Sequence, residues 1–191
     1  MKAVTKLRKL TKAKAKASLK RLKKPRLQFA ALPYRFDDDL EILLVTSRDT
    51  GRWVIPKGWP MKGRKPHQAA AQEALEEAGV EGVITEEPIG GYQYKKRLGN
   101  GAELQCTVDV YSLEVERQRK RWPEQHQRTA HWFTPEEAAE AVHEPDLQEL
   151  ILSFRQQFDL AAHEGQEDRE APVLVGDEGD PAVSDRAVSL M

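Results

Sequence analysis

Three acids, Glu73, Glu76 and Glu77, crowd together in residues 51–80, GRWVIPKGWPMKGRKPHQAAAQEALEEAGV. Like charges at such spacings on a helix cost roughly 0.2–0.5 kcal/mol per pair, which a solvated face tolerates. The residues just upstream give the trio a use, because "IPKG" ends a strand-like run with Lys57 and the flexible Gly58. Hard divalent cations take oxygen ligands, and Mg²⁺ keeps several waters while bridging carboxylates to substrate phosphates. Carboxylates for a cation, a lysine for an anion and a glycine that allows close backbone approach together point to metal-assisted chemistry on phosphate.

The element that carries the acids is a short helix. Pro66 suits its first position, "HQAAAQEALEEA" consists mostly of strong helix formers, and Gly79 is placed to stop it. At about 100° per residue, Ala70, Ala71, Ala74, Leu75 and Ala78 share the packing side and the three glutamates the other. Strands are expected around it: an alternating run from Leu27, a buried run at 40–47 after the Asp37-Asp38-Asp39 turn, then 53–56, 90–97, 103–116 and 129–135. In the long run at 103–116, Leu104, Cys106, Val108 and Val110 share one face, and the lone Cys106 reads as a small core residue. Thr134 with Pro135 starts a helix, and another from Pro145 puts Leu147, Leu150, Ile151, Phe154 and Phe158 on one apolar stripe.

Residues 58–80 resemble the Nudix box, the signature of the Nudix hydrolases: Gly, five residues, Glu, seven residues, then Arg-Glu-x-x-Glu-Glu-x-Gly and an aliphatic. Gly58, Glu73, Glu76, Glu77, Gly79 and Val80 fall on that pattern. The resemblance is closest to the diadenosine polyphosphate and diphosphoinositol polyphosphate phosphohydrolase group, and "RWPEQHQRTAHWF" is similar to the part of the latter in which basic residues precede a Trp-Phe pair. It implies an α+β fold, an α/β/α sandwich with a mixed β-sheet between helices, over residues 26–161. It implies Mg²⁺ or Mn²⁺ held by Glu73, Glu76 and Glu77 with the Gly58 carbonyl, Glu76 and Glu77 as catalytic residues, and attack of water on phosphorus in a diphosphate.

Two positions depart from the box: Arg64 stands in place of its first glutamate and Gln72 in place of its arginine. In the family that arginine orients the glutamates by charge-assisted hydrogen bonds, which are about twice as strong as neutral ones. Gln72 supplies no charge, so either Arg64 supplies the cation from the loop side or activity is reduced. The alternative is a non-catalytic Nudix-like module that binds a nucleotide or RNA.

For substrate phosphates the cationic candidates are Lys57, Arg64, Lys96, Arg97 and Arg128, and for a base outside the helix Glu103 and Glu124. Three of Trp53, Trp59, Trp122 and Trp132 are expected in the core, with Trp59 or Trp122 left for a substrate contact. The substrate is expected to be a dinucleoside polyphosphate or a diphosphoinositol polyphosphate.

The 191 residues build one core with tails. No apolar run approaches the length of a membrane-spanning helix, and a cytoplasmic protein is expected. Twelve of the 30 Lys and Arg, and none of the 31 acids, lie in residues 1–26. Residues 1–25 therefore form a basic arm, helical or disordered, suited to contact with a polyanion, and residues 162–191 an acidic disordered tail. Many Nudix hydrolases are homodimers, though nothing in the sequence requires it.

Overall fold

The computed structural model describes residues 25–99 and 101–167. The strands are β1 (Arg26–Asp37), β2 (Asp39–Thr46), β3 (Trp53–Val54), β4 (Lys57–Gly58), β5 (Val80–Ile84), β6 (Gly90–Arg97), β7 (Glu103–Gln118) and β8 (Ala130–Phe133); the helices are α1 (Pro66–Ala78), α2 (Pro135–Ala141) and α3 (Pro145–Glu167). One mixed sheet holds all eight strands, in the order β3-β2-β1-β7-β5, with β4 joined to β1, β6 to β7 and β8 to β2. β1 and β7 run parallel over Arg26–Tyr34 and Cys106–Glu114, and the other pairs are antiparallel.

Alternation sorts the side chains onto two faces. Phe29, Ala31, Leu43, Val45, Tyr111 and Leu113 form one buried cluster with Ala69, Ala70, Ala74 and Ala78 of α1. The interleaved Ala30, Leu32, Ile42, Leu44, Val108 and Val110 are buried on the other face. There Tyr34 of β1 meets Phe154 of α3 edge-on, ring centroids 5.1 Å apart, and Leu147 and Ile151 are fully buried. The result is the expected α/β/α sandwich.

The structure refines several expectations. Ala69 is buried in the α1 seam, whereas Ala71 and Leu75 are only half-buried. The run at 53–56 shortens to Trp53–Val54, which pair with β2, and a second short strand, Lys57–Gly58, follows and pairs with β1. Pro56 lies between, with no N–H to continue a ladder, while its carbonyl accepts from Ala31 N–H at 3.0 Å. β5, an edge strand directly after the αL turn at Gly79 (φ 73°), carries no alternating run and was not expected. All four tryptophans are half-buried rather than three in the core. Trp122 lies against Gly79, where a Cβ would come within 2.6 Å of its ring. The Thr134 start of α2 is a full capping box with Glu137.

One compact unit ends at Gln157 and a second begins at Phe158, of which the end of α3 is the described part. α3 runs to Glu167, past the expected boundary at 161. The rest of the acidic tail and the basic arm before Pro25 lie outside the described residues.

Candidate active site

β4 crosses β1 with Gly58 opposite Phe29, at the foot of α1. The Glu73 carboxyl rests on Gly58 so closely that a Cβ there would stand 1.7 Å from Glu73 Oε1. Only a glycine leaves this cradle open. Among the described residues Glu73 has no hydrogen-bond or ion-pair partner. Burial raises its pKa to about 7, with Glu77, Glu76 and Glu124 pushing the same way and Arg128 opposing.

The other helix acids are held. Glu77 is buried, accepts a short hydrogen bond from Arg128 Nη2, and accepts from Lys57 N–H at 3.3 Å. Burial pushes its carboxyl upward, against the pull of Lys57 and Arg128. Glu76 accepts from Gln72 Nε2 at 2.6 Å, and its backbone carbonyl accepts from Glu124 N–H at 3.0 Å. That last bond draws the loop before β8 onto α1 and brings a fourth carboxylate to the site. Glu124 accepts from Arg128 Nε at 2.6 Å and from Arg48 Nη1 at 2.9 Å.

Of the two loop acids, Glu124 is thus gathered with the helix glutamates and Glu103 is not. Glu103 is an exposed residue at the start of β7, 3.6 Å from Lys95. The expected cations fall in different places. Arg64 is exposed and lines a separate cleft of about 700 Å³ with Lys62, Gln68, Gln72, Leu75 and Glu81, and among the described residues it makes no ion pair with the glutamates. Arg128 does face them, and each of its three guanidinium nitrogens donates to the protein. Nη2 goes to Glu77, Nε to Glu124 and Nη1 to the Thr46 carbonyl at 2.9 Å, with 7% of the side chain exposed. It also lines the cleft of the other cations.

The remaining cations share a cleft of about 500 Å³ beside Glu77, where Lys57, Lys96 and Arg97 are joined by Arg48, Arg52 and Lys95. Burial lowers the Lys57 pKa to about 8, against the attraction of Glu77; its Nζ donates to the Ile55 carbonyl at 3.4 Å and stands 5.7 Å from the Tyr94 ring. Trp59 lies under the Arg26 guanidinium at 4.3 Å and Lys96 Nζ at 5.6 Å. Arg48 and Arg52 were missed. Their signal was "SRDTGR", a turn between two strand runs with an arginine at each side. Gln28 and Tyr94, hydrogen-bonded to each other at 2.6 Å on the cleft wall, gave no signal, because β1–β7–β6 pairing alone brings them together.

The donors around Glu73 are all hard oxygens, and the carboxyl with no partner sits in a cradle open only because Gly58 has no side chain. That set fits Mg²⁺ or Mn²⁺. Among the described residues no three metal-ligating side chains converge on one point.

A carboxylate helix entered through a glycine cradle, laid on a mixed sheet with a helix behind, defines a class of phosphate-handling α/β/α enzymes. The chain belongs to the Nudix family: the NUDIX domain matches residues 24–154. It is accordingly a hydrolase of phosphoric anhydrides, and Nudix hydrolases generally use divalent metal ions. The chain is 28% identical to Nudix hydrolase 13, mitochondrial, of Arabidopsis thaliana over 182 residues, covering 84% of this chain and 88% of that protein. It is 32% identical to diphosphoinositol polyphosphate phosphohydrolase 3-beta of Bos taurus over 135 residues, covering 64% and 76%. Among solved structures, a C. elegans Ap4A hydrolase binary complex superposes with a TM-score of 0.53 at 21% identity, over 72% of this chain and 98% of that one. Among the described residues no helix is long and apolar enough to cross a membrane.

Proposed function

We propose that the chain hydrolyses a diphosphate linkage in a polyphosphorylated substrate, a dinucleoside polyphosphate or a diphosphoinositol polyphosphate, with Mg²⁺ or Mn²⁺ held by Glu73, Glu76 and Glu77 beside Gly58. One observation carries the reading: the Glu73 carboxyl, unpartnered among the described residues, rests on Gly58, the next residue in the chain after Lys57 of a cleft walled by cations. The likeness to a diphosphoinositol polyphosphate phosphohydrolase supports the substrate class.

A divalent ion bound there offsets phosphate charge and lowers the pKa of the attacking water. The residues of the chain do the rest. Lys57 points its ammonium into the cleft beside Glu77 and holds a phosphate oxygen, while Lys96 and Arg97 hold the outer phosphates. Arg128 and Gln72 fix Glu77 and Glu76. Both Glu124 oxygens already accept guanidinium hydrogen bonds, so Glu124 anchors the loop. The proton of the water goes to one of the helix glutamates.

The test is phosphate or nucleotide release from diadenosine polyphosphates, diphosphoinositol polyphosphates, ADP-ribose and nucleoside triphosphates with Mg²⁺ or Mn²⁺, wild type beside Glu76→Gln. Metal-dependent turnover lost in the variant is the expected result. Silence of both proteins across the panel would leave a binding module instead.

A further inference from the structure

The geometry points to Arg128 as the positioning residue that replaces the missing arginine of the α1 motif: a guanidinium absent from the helix at Gln72 is delivered from the loop before β8 to orient the Glu77 carboxylate. The inference rests on the metal-site reading above. Gln72 reaches only Glu76 and brings no charge. Glu77, the most buried of the three acids, would otherwise face the interior with one backbone N–H at 3.3 Å as its donor. A buried carboxylate without a cationic partner is strongly unfavourable. Arg128 meets that need with Nη2, and its planar fork lets Nε and Nη1 be pinned at the same time by Glu124 and the Thr46 carbonyl. The guanidinium is thereby fixed from three directions, and so is the carboxylate it holds.

The replacement also changes what the site depends on. An arginine at position 72 would sit on the same helix as the acids it orients. Arg128 instead ties the acids to the loop before β8 and, through Glu124 and Arg48, to the turn after β2. Glu124 N–H on the Glu76 carbonyl fastens the same loop a second time.

Outer partners of metal ligands, when removed, typically weaken metal binding about 10- to 100-fold. Mn²⁺ titrations followed by electron paramagnetic resonance, on the full chain without substrate, are compared for wild type, Arg128→Lys, Arg128→Gln and Arg128→Lys with Gln72→Arg. Arg128→Lys keeps the buried positive charge and so the fold, but cannot make three fixed bonds. It is expected to melt cooperatively and bind Mn²⁺ about 10- to 100-fold more weakly. Arg128→Gln should lose more, and adding Gln72→Arg should recover part of the loss, because the residue at 72 already reaches a site carboxylate. A purely structural role would lower the melting temperature of Arg128→Lys and leave its Mn²⁺ affinity unchanged, which overturns the inference. So does a folded Arg128→Lys whose only change is a raised KM, since that marks a substrate contact. If wild type itself takes up no Mn²⁺, it is the metal-site reading that fails.

Discussion

The two flanks of α1 are both lined by cations, yet they put them to opposite uses. On the flank toward Glu77, Arg128 and Arg48 hydrogen-bond to carboxylates and line one cleft with Lys57, Lys96 and Arg97. On the flank of Arg64 and Gln72 the acid is Glu81, and the C-terminal end of β7 and the residue after it have already claimed it: Arg119 and Arg117 hydrogen-bond to its carboxyl and lower its pKa to about 2. Arg64 is left exposed with no ion pair among the described residues. Both departures from the Nudix pattern thus fall in one cleft. A motif position is constrained by the group it must serve, and once Arg128 serves Glu77 the helix position is released.

The largest break in that asymmetry comes from the acids themselves. Glu76→Gln, or chelation of the metal from wild type, should cut turnover by more than about 100-fold, beyond what outer-partner changes cost. Steady-state hydrolysis measures it. A glutamate changed on the other flank, Glu81→Gln, should leave turnover within about twofold.

Next in size is a paired glycine test. Gly58→Ala drives a methyl into the space of the Glu73 carboxyl, whose flexible end can swing out. Turnover should fall roughly 10- to 100-fold, with little loss of melting temperature. Gly63→Ala is its counterpart on the Arg64 side, where a methyl meets nothing within 4 Å but φ is 79°. There the cost is about 1–2 kcal/mol of backbone strain, a fall of roughly 2–8 °C in melting temperature, and activity of the folded protein is retained. If Gly58→Ala is as active as wild type, Glu73 does not need its cradle.

Those glycines mark how far the sequence could be read. Gly58, Glu73, Glu76 and Glu77 were legible because a helix and a tight turn fix their spacing locally. The strands from Leu27, at 40–47 and at 103–116 were legible for the same reason, since alternation is a local signal. Long-range pairing was not. The partner of Glu77 lies 51 residues away, and Arg64, six residues beyond Gly58, was a better guess by distance along the chain and the wrong one in space. The four tryptophans misled in a related way: a half-buried indole under an arginine, as Trp132 lies under Arg35 at 4.3 Å, has the same sequence appearance as a core indole. β5 escaped because five residues with a bulge between Glu81 and Gly82 carry no period.

A smaller effect separates the flanks by pH. Glu73 has a folded pKa of about 7 against 4.5 for the free side chain, so between these values the folded metal-free protein holds a proton that the unfolded chain has released. Stability of the metal-free protein should therefore fall as pH rises from about 4.5 to 7 and level off above. Glu81 is shifted the other way, and its contribution should be lost only as pH falls from about 4.5 toward 2. Glu73→Gln should flatten the first slope alone, as should saturating Mn²⁺, which takes the place of the proton and adds stability with concentration. Chemical denaturation at a series of pH values reads both windows. A slope unchanged in Glu73→Gln would assign it to another group.

The smallest expected effect is the most pointed. Arg64→Glu restores the acid that the motif carries at this position. If Arg64 stood in for the missing arginine, reversing its charge would put one more like charge on the acids with nothing to hold them, and turnover would collapse. The exposed position of Arg64, in a cleft whose one acid is already bound by Arg117 and Arg119, argues for the opposite result. Exposed substitutions of this kind usually change stability by less than about 0.5 kcal/mol, and turnover should stay within about threefold of wild type. Gln72→Arg in the same protein, with Arg128 in place, would set a second guanidinium beside Glu76 where Gln72 already donates at 2.6 Å. It should tighten Mn²⁺ binding little, because the charge demand of Glu77 is met from the other side. A gain of tenfold or more would show that the loop arginine only partly replaces the helical one.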